Sequence, residues 1–296
     1  MNPNRRDFIA FSAAALATPL VKPAAAIEPI RRAGGPHMRL SLAGYSFRQK
    51  LDLKKPTWTY FDFIDFAAAQ QIDAVEFTEY FFDGTSPEYL AKLKLNCTRL
   101  GLDVNGTAIR NDFCLKDAEA LKKQMDHVNA WTERTVALGG KTMRIFAGTM
   151  PKGDREEDAR RRAVECIEKC CEYSKKVGVY LALENHHGIV ASADQMLSIV
   201  TAVRSDYFGV NLDTGNFSTK DPYADLTRVA PYAVTVQVKT EVKPEGKPAE
   251  EADLPRKIKM LRDANYRGYV VLEYEAKEDA TTAVPKYLKE LRKLIG

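Results

Sequence analysis

Strand-type and helix-type sequence alternate eight times between Arg39 and Leu294, and this alternation fixes the class of fold before any single residue is weighed. The first half reads as Arg39–Phe47 then helix Tyr60–Gln71, Asp73–Thr78 then Pro87–Leu100, Asp103–Ala108 then Lys116–Leu138, and Thr142–Ala147 then Arg155–Val177. The second half continues with Val179–Asn185 then Ser192–Val203, Gly209–Asp213 then Tyr223–Ala230, Val234–Lys239 then Leu254–Asn265, and Tyr269–Glu275 then Thr281–Leu294. Eight such units in a chain of 296 residues match a single (β/α)8 TIM barrel in count and length. An open doubly wound sheet would need a glycine-rich turn between a strand and its helix. Gly139-Gly140 lies before a strand instead.

The barrel is expected over residues 39–296. Residues 27–38 read as a linker, because Gly34-Gly35-Pro36 interrupts any element. Residues 1–26 read as a twin-arginine signal peptide: Arg5-Arg6, an apolar run Phe8–Val21, then Lys22-Pro23-Ala24-Ala25-Ala26. That run is shorter than the roughly 20 residues a spanning helix needs, so Tat export machinery is the expected partner and the periplasm the expected destination. Half of the formal charge of +4 sits in this segment (Arg5, Arg6 and Lys22 against Asp7), which leaves no basic field for nucleic acid. Five cysteines (Cys97, Cys114, Cys166, Cys170, Cys171) have no zinc spacing and read as buried thiols, with a disulfide in an oxidising periplasm as the alternative.

In a parallel strand alternate side chains face the barrel interior, so polar residues at every second position near a strand's carboxyl end are aimed at the mouth. In the seventh strand Val234, Val236 and Val238 face the helices, which sends Thr235, Gln237 and Lys239 inward. The eighth directs Glu273 and Glu275 inward, the sixth Asn211 and Asp213, and the fifth Ala182, Glu184 and His186. Carboxylates converging on one pocket repel by several kcal/mol at about 4 Å even at moderate effective dielectric. A divalent cation held by Glu184, Asp213, Gln237 and Glu273 resolves that conflict, and an all-oxygen set favours Mn2+, Mg2+ or Co2+.

The runs Leu181–His186, Val210–Asn216, Val236–Lys239 and Val271–Glu275, in this order, resemble the xylose isomerase-like barrels, the sugar phosphate isomerase/epimerase group also called AP endonuclease family 2. The resemblance implies one divalent metal on Glu184, Asp213, the seventh-strand position and Glu273, with histidine usual where this chain has Gln237. It also implies that Glu184 and Glu273 act as an acid/base pair on either side of a carbon next to a carbonyl.

Around that centre His186 and His187 are candidates to hydrogen-bond a hydroxyl or protonate a leaving group, and Lys239 to reach the same pocket or pair with Glu241 or Glu275. Arg144 and Glu76 point inward by the same alternation; Tyr45, Asn111 and Asp112 are weaker rim candidates, and Trp131 and Phe63 read as packing. The segment Glu241–Asp253 follows the seventh strand on the active face, where a lid, an oligomer contact or a solvated loop all fit.

The leading expectation is a metal-dependent isomerase or epimerase acting on a small carbohydrate. Export favours free sugars or sugar derivatives over sugar phosphates. A lyase or hydratase acting on 3-keto-glycosides or inosose would use the same proton abstraction and then expel the oxygen at the β carbon. Gln237 also leaves room for a non-catalytic sugar-binding barrel. The DNA-repair branch implies a histidine-rich three-zinc cluster, for which this domain has only His127, His186 and His187. A homo-oligomer is compatible with all of these readings.

Overall fold

The structure, a computed structural model, describes residues 27–296; the signal peptide expected over residues 1–26 lies outside the described residues. The first seven barrel strands are β1 (His37–Ala43), β2 (Ala74–Thr78), β3 (Asp103–Ala108), β4 (Thr142–Ile145), β5 (Tyr180–Glu184), β6 (Phe208–Asp213) and β7 (Ala233–Val238). A two-stranded hairpin, β8 (Glu241–Val242) and β9 (Glu250–Glu251), then precedes the eighth barrel strand, β10 (Arg267–Leu272). All eight barrel strands are parallel, and β10 closes the ring by pairing with both β7 and β1. This is the (β/α)8 TIM barrel expected from the alternation.

Helix boundaries follow local chemistry. Thr59 and Asp62 form a reciprocal capping box at the start of Tyr60–Ala69. Ser86, Asp117, Ser192, Asp221 and Asp253 each accept a backbone N–H at the start of the helix that follows. The two longest helices, Ala118–Leu138 and Glu156–Val177, stop at Gly139 and Gly178, whose φ of 90° and 78° favour glycine. The layer between strands and helices is apolar: Leu212, Val236, Val238, Val270 and Leu272 are fully buried, and Phe63 and Trp131 pack there as expected.

Two edges differ from the sequence reading. β1 ends at Ala43 rather than Phe47, because the chain turns into a 3-10 helix at Gly44–Phe47. There the Ser46 hydroxyl donates to the Leu272 carbonyl (3.2 Å) and accepts from the Tyr274 N–H (2.9 Å), tying this turn to the end of β10. Residues 27–36 run against the amino-terminal end of the barrel. The Ile30 N–H donates to the Pro231 carbonyl (3.0 Å), and the Asn265 amide donates to the Arg32 and Gly34 carbonyls (2.9 and 3.0 Å).

The barrel interior is crossed by a polar chain. Ser41 Oγ donates to Asn105 Oδ1 (2.6 Å), Asn105 Nδ2 to Glu76 Oε2 (3.5 Å), and Gln237 Nε2 to Glu76 Oε1 (2.7 Å). Asn211 Nδ2 donates to Gln237 Oε1 (2.6 Å) and Glu184 Oε2 (3.4 Å). Six strands are thereby linked through side chains, a network that fixes rotamers in place of interlocking apolar layers and leaves one buried oxygen, Asn211 Oδ1, without a hydrogen-bond partner.

Candidate active site

The carboxyl ends of the strands deliver the expected side chains to one place. Tyr45, Tyr80, Arg144, Glu184, Lys239 and Glu273 line a cavity of about 80 Å3, which His186, Asn216 and Glu275 complete. β7 and β10 end at Val238 and Leu272, so Lys239 and Glu273 are the first residues past the ladder and keep the inward phase of their strands. Side-chain amides extend the ladder where the strands fan apart. Asn185 Nδ2 donates to the Asp213 carbonyl (2.9 Å) while its Oδ1 accepts the Asp213 N–H (2.8 Å). Asn111 makes the same pair of bonds to Phe146 (2.7 and 2.8 Å). Each asparagine stands in for a peptide unit, holding the strand ends at a fixed spacing.

Glu184 is 4% exposed and is held from two sides: Arg144 Nε lies 3.0 Å from Oε2 as an ion pair without hydrogen-bond alignment, and Asn216 Nδ2 donates to Oε1 (2.9 Å). Burial pushes its carboxyl up to about 7, with the Arg144 guanidinium pulling the other way. Glu273 is likewise pushed up to about 7 by burial, opposed by Lys239, and Asp213 to about 6. The cause is visible in the charge count. Five carboxyl groups (Glu76, Glu184, Asp213, Glu273, Glu275) meet the two cations Arg144 and Lys239, so full ionisation leaves the mouth and the interior just below it strongly negative.

The Lys239 ammonium sits inside this cluster, 2.5 Å from Glu275 Oε2, 3.4 Å from Asp213 Oδ2 and 3.5 Å from Glu273 Oε2. Burial works against its charge, but those three carboxylates outweigh it and hold the amine well above its ordinary pKa. Of the two partners weighed for Lys239 from the sequence, Glu275 is the one it meets.

His186 packs on Phe146 and His187, with ring centroids 4.5 and 3.9 Å away, and its Nε2 is 4.0 Å from Glu184 Oε1. Burial, with His187 and Arg144 adding to it, lowers its pKa to about 3. At neutral pH it is therefore an uncharged hydrogen-bonding group rather than the standing acid the sequence allowed for. His187 faces an adjoining groove of about 870 Å3, whose walls include Glu79, Arg110, Asp112, Lys123 and His127. Tyr45, Tyr80, Phe146 and His186 border both spaces, so the small cavity opens into the long one.

Besides His187, three expected site residues do not line the small cavity, and Asp213, fully buried, meets it only through the Lys239 ammonium 3.4 Å from its Oδ2. Glu76 and Gln237 lie below the mouth: neither lines the cavity, and each spends its polar atoms on the interior chain. Glu76 thus positions Gln237 instead of meeting a substrate. Tyr80 and Asn216 were missed as site residues. Asn216 stands in the sequence run that ends the sixth strand and differs from the carboxylates only in lacking charge. Tyr80 is in a 3-10 turn after β2 that has no periodic signal. The Glu241–Asp253 segment forms the β8–β9 hairpin, fastened by the Glu245 N–H to the Thr219 carbonyl (2.9 Å) and by the Ala252 N–H to the Thr240 carbonyl (2.9 Å).

A family model described as xylose isomerase-like TIM barrel matches residues 64–294. No curated protein matches the chain by sequence. Among solved structures, a D-psicose 3-epimerase crystallised in the presence of D-fructose superposes with a TM-score of 0.74 at 15% identity, covering 88% of this chain and 100% of that one. D-psicose 3-epimerase with D-tagatose from Clostridium cellulolyticum H10 superposes at 0.71 and 14% identity, covering 87% and 99%. The probable 3-DHS dehydratase involved in petrobactin synthesis from Bacillus anthracis does so at 0.64 and 16%, covering 86% and 99%. At such identities the likeness establishes the fold.

Proposed function

The chain belongs to the xylose isomerase-like TIM barrel family, and from that footing we propose that it is an enzyme of isomerase or epimerase type, moving a proton at the carbon beside a carbonyl of a free sugar or sugar derivative. One observation carries this reading: two carboxyl groups from strands three positions apart around the ring, Glu184 and Glu273, line one cavity and are both pushed up to about 7 by burial. A pair poised there exchanges protons in either direction at physiological pH. The carboxylate form of one takes the C–H proton and the electron pair moves onto the carbonyl oxygen. The acid form of the other returns a proton to the opposite face. His186 and Asn216 offer hydrogen bonds to hydroxyls, and Tyr45, Tyr80 and Phe146 supply apolar walls. That the fold is shared with ketose 3-epimerases supports the substrate class.

The divalent ion expected from the sequence does not fit these residues as they stand. Gln237 Oε1 accepts from Asn211 and its amide nitrogen donates to Glu76, and turning the amide over would set oxygen against carboxylate. Asp213 Oδ2 makes no hydrogen bond, yet it faces the Lys239 ammonium, and Glu184 is taken by Arg144.

A lyase acting on glycosides is the second reading, favoured by the groove of about 870 Å3 that continues outward from the reacting end. That space suits a substituent beyond one sugar ring, and its walls set Arg110 and Lys123 against Glu79 and Asp112, a balance suited to an uncharged ligand. Export through the segment 1–26 is part of the same proposal and points to a free, unphosphorylated substrate. The test is incubation of purified protein with ketoses, inosose and 3-keto-glycosides, followed by product identification. An isomer of unchanged mass supports the epimerase, and loss of water or an aglycone supports the lyase. Binding without conversion of any of them overturns both.

A further inference from the structure

Lys239 is held more firmly than a lysine at a strand end requires. Its backbone N–H donates to Thr214 Oγ1 (3.1 Å), and its carbonyl accepts from Nζ of the fully buried Lys257 (2.8 Å). Its stem lies on Gly215, where a Cβ would come within 2.6 Å of Lys239 Cγ and 2.7 Å of its Cβ, so a side chain there would force the lysine to move. Three neighbours thus aim one ammonium into a pocket walled by Asp213, Glu273 and Glu275. A surface lysine would spend its rotamer freedom in water. Here the stem is packed and only the head remains, surrounded by opposite charge.

We propose that the Lys239 ammonium is the resident cation of this site, supplying the positive charge that the carboxylates and the developing enolate oxygen need, so that proton transfer proceeds without a divalent metal. The inference rests on the enolisation reading above for its chemical half, while its structural half, the exclusion of a metal by Lys239 and by the committed amide of Gln237, stands on its own. In the reaction the C–H bond breaks toward one glutamate and its electron pair passes to the carbonyl oxygen. That oxygen takes a hydrogen bond from Lys239 while its charge develops. The second glutamate then delivers a proton to carbon as the carbonyl re-forms, so no oxidant or co-reactant is consumed. Preorganised donors at a developing oxyanion are each worth about 10²–10³ in rate.

The test uses the full chain after chelation and dialysis. Titration calorimetry with Mn2+ should give no stoichiometric binding, and elemental analysis of freshly purified protein should find no bound transition metal. The double variant Lys239→Met/Gln237→His removes the ammonium and installs an imidazole, and it should acquire a Mn2+ site. On any substrate the wild type turns over, chelation should leave kcat unchanged, and Lys239→Gln should lower kcat by about 10²–10³ while moving KM only a few-fold. Stoichiometric Mn2+ binding by the wild type, or activity lost on chelation and restored by the ion, overturns the proposal. If no carbonyl sugar is converted, the enolisation reading fails, while the calorimetry still decides whether Lys239 excludes the metal.

Discussion

Replacing Arg144 by methionine removes the only guanidinium that touches Glu184 among the described residues, and the cost follows from the geometry. The pair is 3.0 Å apart with both side chains 5% exposed. At an effective dielectric of about 20, that separation corresponds to roughly 5 kcal/mol of attraction. Breaking a buried pair from one side typically costs about 3–5 kcal/mol, because the surviving charge is left uncompensated. The Ile109 carbonyl also loses its donor, Arg144 Nη1 at 3.0 Å, adding about 1 kcal/mol. Glu184, already pushed up to about 7, can take a proton in the variant and so keep the total toward the lower end. At about 2–4 °C per kcal/mol for a domain of this size, the melting temperature should fall by about 6–20 °C. Methionine fills much of the same volume, so little of the loss comes from a cavity. The companion variant Arg144→Met/Glu184→Gln leaves no bare charge and should recover all but about 1–2 kcal/mol. Thermal unfolding of the four proteins in the cycle measures this directly. A single variant that loses less than about 1 kcal/mol, or a double variant no better than the single, would refute the view that this pair organises the mouth.

Three other outcomes follow from the same geometry. Glu184→Gln and Glu273→Gln should each lower kcat on a converted substrate by about 10²–10⁴, and a loss below tenfold in both would remove them as the proton carriers. Lys257, buried with its pKa lowered to about 7, is neutral in the fold over a range where the unfolded chain keeps it charged up to about 10.5. The unfolded state then binds the extra proton, so this residue makes stability rise between about pH 7 and 10.5; Lys257→Met should flatten that rise in urea titrations, and an unchanged slope would contradict it. All five cysteines are free and buried, and burial pushes Cys97, Cys114 and Cys171 up to about 12. A thiol reagent should label none of them in the native chain at neutral pH and all five in denaturant.

The barrel was legible because its signal is local. A two-residue period in Val234, Val236 and Val238 is enough to send Lys239 inward, and the same phase carries Glu273 and Glu275 to the mouth. Glu184 and Asp213 follow from equally short runs. What periodicity does not carry is partnership across the ring. Gln237 stands at the depth expected of a ligand, yet its amide is committed to Asn211 and to Glu76, and the latter is 161 residues away in the chain. Sequence shows a donor at a position, while the network decides whether that donor is free. Lys239 fails in the same way: its inward phase was plain, but that it would stand between Asp213, Glu273 and Glu275 depends on Thr214, Gly215 and Lys257 holding it there. The long groove arises from loops after several strands, which have no period at all, and Tyr80 entered the site by that route.

On the function proposed here, Glu184 and Glu273 carry a proton to and from the carbon beside a carbonyl. Nuclear magnetic resonance of a candidate sugar incubated with the protein in deuterated water tests it most directly. Deuterium should appear at that one carbon with wild-type protein and be lost or slowed at least a hundredfold in Glu184→Gln and Glu273→Gln. A product formed with every carbon-bound hydrogen retained, or exchange at full speed in both variants, would contradict it.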